Sequence, residues 1–230
     1  MRDNRLIRLI QSANVFIFFG VGLLLLSVLG YITYQIYQSS FRERTISGVV
    51  NTENTHQTQQ AKVSLGAFTP IEGTPYHFAP ISAKQNYRQD YYDKAALSTR
   101  NYLILDTKDR SAVRLVPNND ALFLSIEKLG HSAQSGKLEK TEGLWYQVVK
   151  ADTNGDKRLT ETDLKTIAVS EVSGKSYKEL ISQVEQVLGS SQPSPNTLLV
   201  IYRTNARHFV SEIDLLAQKV VATQELPSIE

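Results

Sequence analysis

Between residues 152 and 164 the chain reads Asp-Thr-Asn-Gly-Asp-Lys-Arg-Leu-Thr-Glu-Thr-Asp-Leu, a run dense in oxygen-bearing side chains. Its plainest reading is a turn: Asn154-Gly155 is a strong two-residue hairpin signal, and ordinary surface acids would decorate it. Other reactive residue types do not assemble. Ser125 and Lys128 have the SxxK spacing of serine acyltransferases, but in the strand expected there they point to opposite faces, and no SDN or KTG companion is present. Gly174-Lys175-Ser176 imitates the end of a phosphate-binding loop, yet Val169 stands where the first glycine belongs. His56, His77, His131 and His208 are scattered, with no i, i+4 pair to form a zinc site. The absence of cysteine removes thiolate chemistry, disulfide scaffolding and a lipoprotein anchor. Acid pairs for glycoside hydrolysis meet only in the fold and leave no mark in a sequence.

Over its twelve residues, Asp152 to Asp163, the acid-rich segment resembles the EF-hand calcium loop. Calcium takes six to eight oxygen ligands, and such a loop wraps them around the ion from alternate positions. The resemblance implies side-chain ligands from Asp152, Asn154 and Asp156, the carbonyl of Arg158, Thr160 directly or through water, and Asp163 closing the shell. It also implies Leu159 in the core. Lys157 stands where the family prefers glycine, and Asp163 replaces the usual long glutamate. These departures imply weak calcium binding, with magnesium able to compete. Trp145 to Val149 reads as a strand where an EF-hand has a helix, so a strand-loop-helix variant is implied, acting as a structural staple.

The elements that would position this loop are mostly strands. Tyr102 to Leu105, a polar turn from Asp106 to Arg110, and Ala112 to Val116 ended by Pro117 predict a hairpin. Leu122, Leu124 and Ile126 alternate with neighbours of the other face, and Trp145–Val149, Ile167–Val172, Leu198–Tyr202, His208–Ile213 and Val220–Gln224 add five strands. Residues 61 to 98, with Pro70, Pro75 and Pro80, read as extended segments and loops. One amphipathic helix is expected from Tyr177, Leu180, Ile181, Val184, Val187 and Leu188, capped by Ser176 and Glu179 and stopped by Gly189. A loose repeat sets Asp106, Val113, Leu115 and Pro117 against Asp214, Val221, Leu226 and Pro227. Through it the C-terminal half resembles blades of WD40-like or TolB-like β-propellers, which implies a blade-like meander or sandwich more than a closed ring.

Residues 13 to 37 carry no ionisable side chain except tyrosine, and exceed the roughly 20 residues a spanning helix needs. The sequence therefore predicts a cytoplasmic tail (1–12), a transmembrane helix in lipid (13–37), a polar linker (38–60) and an exported β-rich domain (61–230). Arg2, Arg5 and Arg8 before the span, against Arg42 and Arg44 after it, favour a cytoplasmic N-terminus in a bacterial inner membrane, with the domain periplasmic. The 25 basic and 23 acidic residues give a net charge of +2 without blocks, which argues against nucleic acid as a partner. The function expected is a membrane-anchored, non-catalytic envelope protein with a calcium-stabilised interaction domain for another envelope protein. The alternatives are an envelope hydrolase with a site of dispersed residues, and an accessory subunit of a multi-helix membrane complex.

Overall fold

The computed structural model describes residues 19–34, 47–52, 62–89, 92–132 and 138–227. The chain falls into two units, Met1–Arg44 and Thr45–Glu230. In the first, residues 19–34 form helix α1. Ser27 and Thr33 turn their hydroxyls back onto the carbonyls of Leu24 (2.8 Å) and Leu29 (2.7 Å) within it.

This helix corrects the expected membrane span. At 1.5 Å per residue its described residues cover about 24 Å, against the roughly 30 Å of a bilayer core. Among the described residues no helix is long and apolar enough to cross a membrane. The expected flanks of the span, residues 13–18 and 35–37, and the tail 1–12 lie outside the described residues. The inner-membrane placement, with a cytoplasmic N-terminus and an exported domain, rested on that span and is withdrawn with it.

The second unit is built of strands. They are β1 (Val50–Asn51), β2 (Lys62–Leu65), β3 (Thr69–Pro70), β4 (Tyr76–Gln89), β5 (Tyr92–Asp106), β6 (Ala112–Arg114), β7 (Leu122–Ser132) and β8 (Leu138–Val149). After these come β9 (Arg158–Leu159), β10 (Lys165–Glu171), β11 (Lys178–Val184), β12 (Gln186–Ser194), β13 (Thr197–Thr204), β14 (Arg207–Asp214) and β15 (Lys219–Glu225). Three antiparallel meanders follow one another along the chain: β2-β4-β5-β6 with β3 also on β4, then β7-β8-β10-β11, then β12-β13-β14-β15. The first and third sheets carry the two copies of the sequence repeat at the same place, the turn into the last strand. Asp106 accepts the Lys108 amide at 2.8 Å, and Asp214 accepts the Leu216 and Ala217 amides at 2.9 Å. Each aspartate closes its turn by the same side-chain-to-backbone bond.

The second sheet lies between the other two because its strands are apolar on both faces. Successive side chains of a strand point to opposite sides. Leu144, Tyr146 and Val148 of β8 therefore pack with Tyr102 and Ile104 of the first sheet. Trp145, between them in sequence, packs with Leu198, Val200 and Ile213 of the third. β10 divides in the same way, with Ala168 on the first side and Ile167 and Val169 on the other. A sheet covered on both faces reads as an unbroken apolar run, as Leu-Trp-Tyr and Ile-Ala-Val do here.

No amphipathic helix forms at residues 176–189; the segment supplies β11 and β12. The register of β10 against β11 steps from Lys165↔Val184 to Ile167↔Ile181, so one strand advances three residues while the other advances two. The extra residue is accommodated by a bulge with Gln183 at φ 60°. Ile181 and Val184, three apart, consequently pack on the same core. A bulge thus reproduces the i, i+3 spacing of a helix. Ser176, expected as the helix cap, has φ 57° and lies in the tight turn between β10 and β11.

Candidate functional site

The segment from Asp152 to Asp163 is the connection between β8 and β10, which pair antiparallel from Val149↔Lys165 onward. It is a strand-loop-strand unit, and the helix implied after the loop is replaced by β10. Halfway through, Arg158 and Leu159 form β9 and pair with β1 as Asn51↔Arg158 and Val50↔Leu159. The Thr52 amide adds a bond to the Lys157 carbonyl at 2.9 Å. Leu159 is buried with Val50, Leu122 and Val149, a small core beneath the loop.

Within the loop the oxygens turn onto backbone amides. Asp152 accepts from Gly155 N through Oδ1 and from Lys157 N through Oδ2, both at 2.7 Å. That pair of bonds holds Gly155 at φ 79° and Lys157 at φ 62°, where a side chain is rarely found. Asn154 Oδ1 accepts from Asp156 N and Asp156 Oδ1 from Arg158 N, both at 2.9 Å. The hydroxyls of Thr160 and Thr162 lie 2.6 Å apart, and Asn154 Nδ2 donates to Thr162 Oγ1 at 2.9 Å.

Asp163 is the hub. It is fully buried. Its Oδ1 accepts from Thr153 N (2.7 Å), Thr153 Oγ1 (3.1 Å) and Asn154 N (3.3 Å), and its Oδ2 from Thr160 N (2.9 Å). Burial pushes its pKa up, but the amides of Thr153, Thr160 and Asn154 together outweigh burial and hold it below the ordinary aspartate value. Lys165, two residues on, is also buried. Its Nζ donates to the carbonyls of Glu161 (2.5 Å), Glu185 (2.8 Å) and Asp163 (3.1 Å). The bond to Glu185 ties the loop to the junction of β11 and β12.

These contacts decide how well the residues fit a calcium ion. Asp152, Asn154, Asp156, Arg158, Thr160 and Asp163 do lie in one loop. Among the described residues, however, no group of three or more histidines and acids is placed to hold a metal. Asp163, expected to close the coordination shell, spends its oxygens on the loop's own donors. Nothing in the sequence motif pointed to Lys165, which stands at the first position of β10, two residues before its Ile-Ala-Val run.

The other reactive residues that are described do not come together either. Lys128 Nζ is held by Glu72 at 2.7 Å and lies 5.9 Å from the Phe78 ring centroid, while Ser125 Oγ is buried without a partner, so the two form no catalytic pair. Gly174-Lys175-Ser176 turns between β10 and β11, with Ser176 Oγ donating to Glu171 at 3.0 Å. His131 lies 3.4 Å from Glu142, His208 sits on β14 opposite Arg203, and His56 lies outside the described residues.

No protein-family model and no curated protein sequence matches the chain. Similar solved structures include the β-propeller domain of the Trilobed protease from Pyrococcus furiosus, with a TM-score of 0.37 and 10% identity over 73% of this chain and 44% of that one. A luciferin-regenerating enzyme is similar with a TM-score of 0.37 and 13% identity over 70% of this chain and 46% of its own. The chain thus spans less than half the length of either.

Proposed function

We propose that the unit Thr45–Glu230 is a non-catalytic protein-interaction module whose contact surface is the outer face of the third sheet. The observation that carries this reading is the composition of β13. Its Leu-Leu-Val-Ile-Tyr run is apolar on both faces, as β8 is. In β8 both faces are covered by neighbouring sheets. In β13, Leu198, Val200 and Tyr202 are buried, whereas Leu199 and Ile201 on the opposite face are only partly covered. Val210 of β14, the cross-strand partner of Ile201, is also partly covered. Leu188 and Val221, at register shifts on the flanking strands, are each 47% exposed. Partly covered apolar side chains bordered by polar ones, such as Glu212 opposite Leu199 and Gln224 opposite Val210, are what protein interfaces use.

The test is the double variant Ile201→Glu, Val210→Glu, which places two charges on that face without touching the core behind it. Tagged wild-type and variant chains are purified from the native cell at matched levels. A companion protein retained in stoichiometric amount by the wild type and lost by the variant, with melting temperatures within about 2 °C of each other, is the expected result. Companions retained equally by both chains would remove the third sheet from the account.

A further inference from the structure

We infer that the loop from Asp152 to Asp163 is a metal-independent clasp, in which backbone amides satisfy the carboxylates and the Lys165 ammonium gathers the carbonyls at the end of the loop and at the start of β12. An ionised carboxylate offers about four lone-pair sites. Asp163 receives four donors: the amides of Thr153, Asn154 and Thr160 and the hydroxyl of Thr153. Three of them fall on Oδ1 and one on Oδ2, so Oδ1 is fully used within the loop. With the side chain buried, an ion could take both oxygens, as the calcium-loop resemblance implies, only by displacing those donors.

The positive side balances equally. Lys165 Nζ is placed against three carbonyl oxygens, those of Glu161, Asp163 and Glu185. Only the protonated amine has three hydrogens to give. The ammonium is a resident cation, carried by the chain and bonded to oxygens as a bound metal would be. Because one of those oxygens belongs to Glu185, it also fastens the loop to the start of β12.

Two further contacts make the clasp self-supporting. Asp152 fixes the backbone at Gly155 and Lys157, so the sharp turn that the missing glycine would ease is held by a carboxylate. The pairing of β9 with β1 and the burial of Leu159 fix the middle of the loop from below. The loop therefore keeps the sequence pattern of a calcium site while its own groups do the holding.

Hydrogen exchange on the full-length chain tests this, read by mass spectrometry over peptides covering residues 150–166, in EDTA and in millimolar calcium or magnesium chloride. The expected result is slow exchange at Thr153, Asn154 and Thr160 that is the same in all three solutions. Exchange in Lys165→Met should be faster by about tenfold or more, with no recovery on adding calcium. Exchange that is fast in EDTA and slowed about tenfold or more by calcium in the wild type would overturn the clasp, as would a Lys165→Met loop that exchanges like the parent. Should Lys165→Met fail to fold, the wild-type comparison decides alone.

Discussion

Asn101 and Asp163 show how a buried polar side chain holds irregular backbone. Asn101 is fully buried on β5. Its Nδ2 donates to the carbonyls of Val116 (2.8 Å) and Asn118 (2.9 Å) and to Asn119 Oδ1 (3.1 Å), while its Oδ1 accepts from Tyr102 N (2.8 Å) and Val116 N (3.2 Å). The connection from the first sheet to the second is shaped around this one amide. Asn101→Leu keeps the volume and orphans the donors and acceptors, so a loss of about 3 kcal/mol is expected from urea unfolding. Asp163→Ala removes the hub of the loop and should cost about as much for the same reason. Asp163 also gives a pH dependence of defined sign. Its folded pKa lies below the ordinary aspartate value, so its contribution is complete above about pH 4 and is lost as pH falls through the folded value. Stability measured from neutral pH down to pH 3 should therefore fall more steeply in the parent than in Asp163→Ala. Parallel acid limbs would show that Asp163 is not the group responsible.

Elements of this protein depend on a few backbone positions that no hydropathy pattern marks. Gly174, in the β10–β11 turn, has φ +74°, and a Cβ there would run into the Ile104 side chain of the first sheet. Gly174→Ala should lower stability by about 2 kcal/mol, through a left-handed backbone and a steric clash together. Gln183 at φ 60° occupies the β11 bulge, and its carbonyl accepts the Thr204 hydroxyl at 2.7 Å. Gln183→Val puts a β-branched side chain at that angle, and a loss of about 1–2 kcal/mol is expected, whereas Gln183→Gly should be close to neutral. Equal effects of valine and glycine would mean that the bulge is not fixed by backbone geometry. The same bulge explains why a helix was expected over residues 176–189: Ile181 and Val184 keep one face only because a residue is inserted between them. By contrast, the β5–β6 hairpin was legible, since Asp106, a polar turn and Pro117 state its limits directly. The loop was legible as a cluster of oxygens but not as a network, because the amides of Thr153 and Thr160 leave no trace in residue identity. Lys165 was hidden similarly, its acceptors being carbonyls. In the first unit, hydropathy over residues 13–37 suggested a span, while the described helix covers only residues 19–34.

At the scale of the whole β unit, the seam between the first and second sheets is sealed by aromatic rings. Tyr102 meets Phe123 edge-on at 5.5 Å and Phe78 at 5.8 Å, and Tyr146 lies 5.8 Å from Tyr177 and 6.0 Å from Phe123. Burial pushes the Tyr102 phenol up to about 12 and also raises Tyr177 and Tyr146 above the ordinary tyrosine value. A phenol whose folded pKa exceeds its unfolded value of about 10 contributes stability that is complete below that value and lost as pH rises through the folded one. Three such phenols along one seam make it a weak point in alkali. The expected outcome of a titration from pH 8 to 12.5 is that exposed tyrosines ionise gradually, while these three ionise together with the loss of β-sheet circular dichroism. Tyr102 has no hydrogen-bond partner contributing to its shift, which is due to burial alone, so Tyr102→Phe removes an ionisable hydroxyl and leaves the ring packing. That variant should move the alkaline midpoint upward by a few tenths of a pH unit while changing stability at pH 7 by less than about 1 kcal/mol. Complete tyrosinate absorbance before any loss of sheet signal would mean that the seam admits water and hydroxide in the folded state, and the first two sheets would then have to be packed less tightly than their rings suggest.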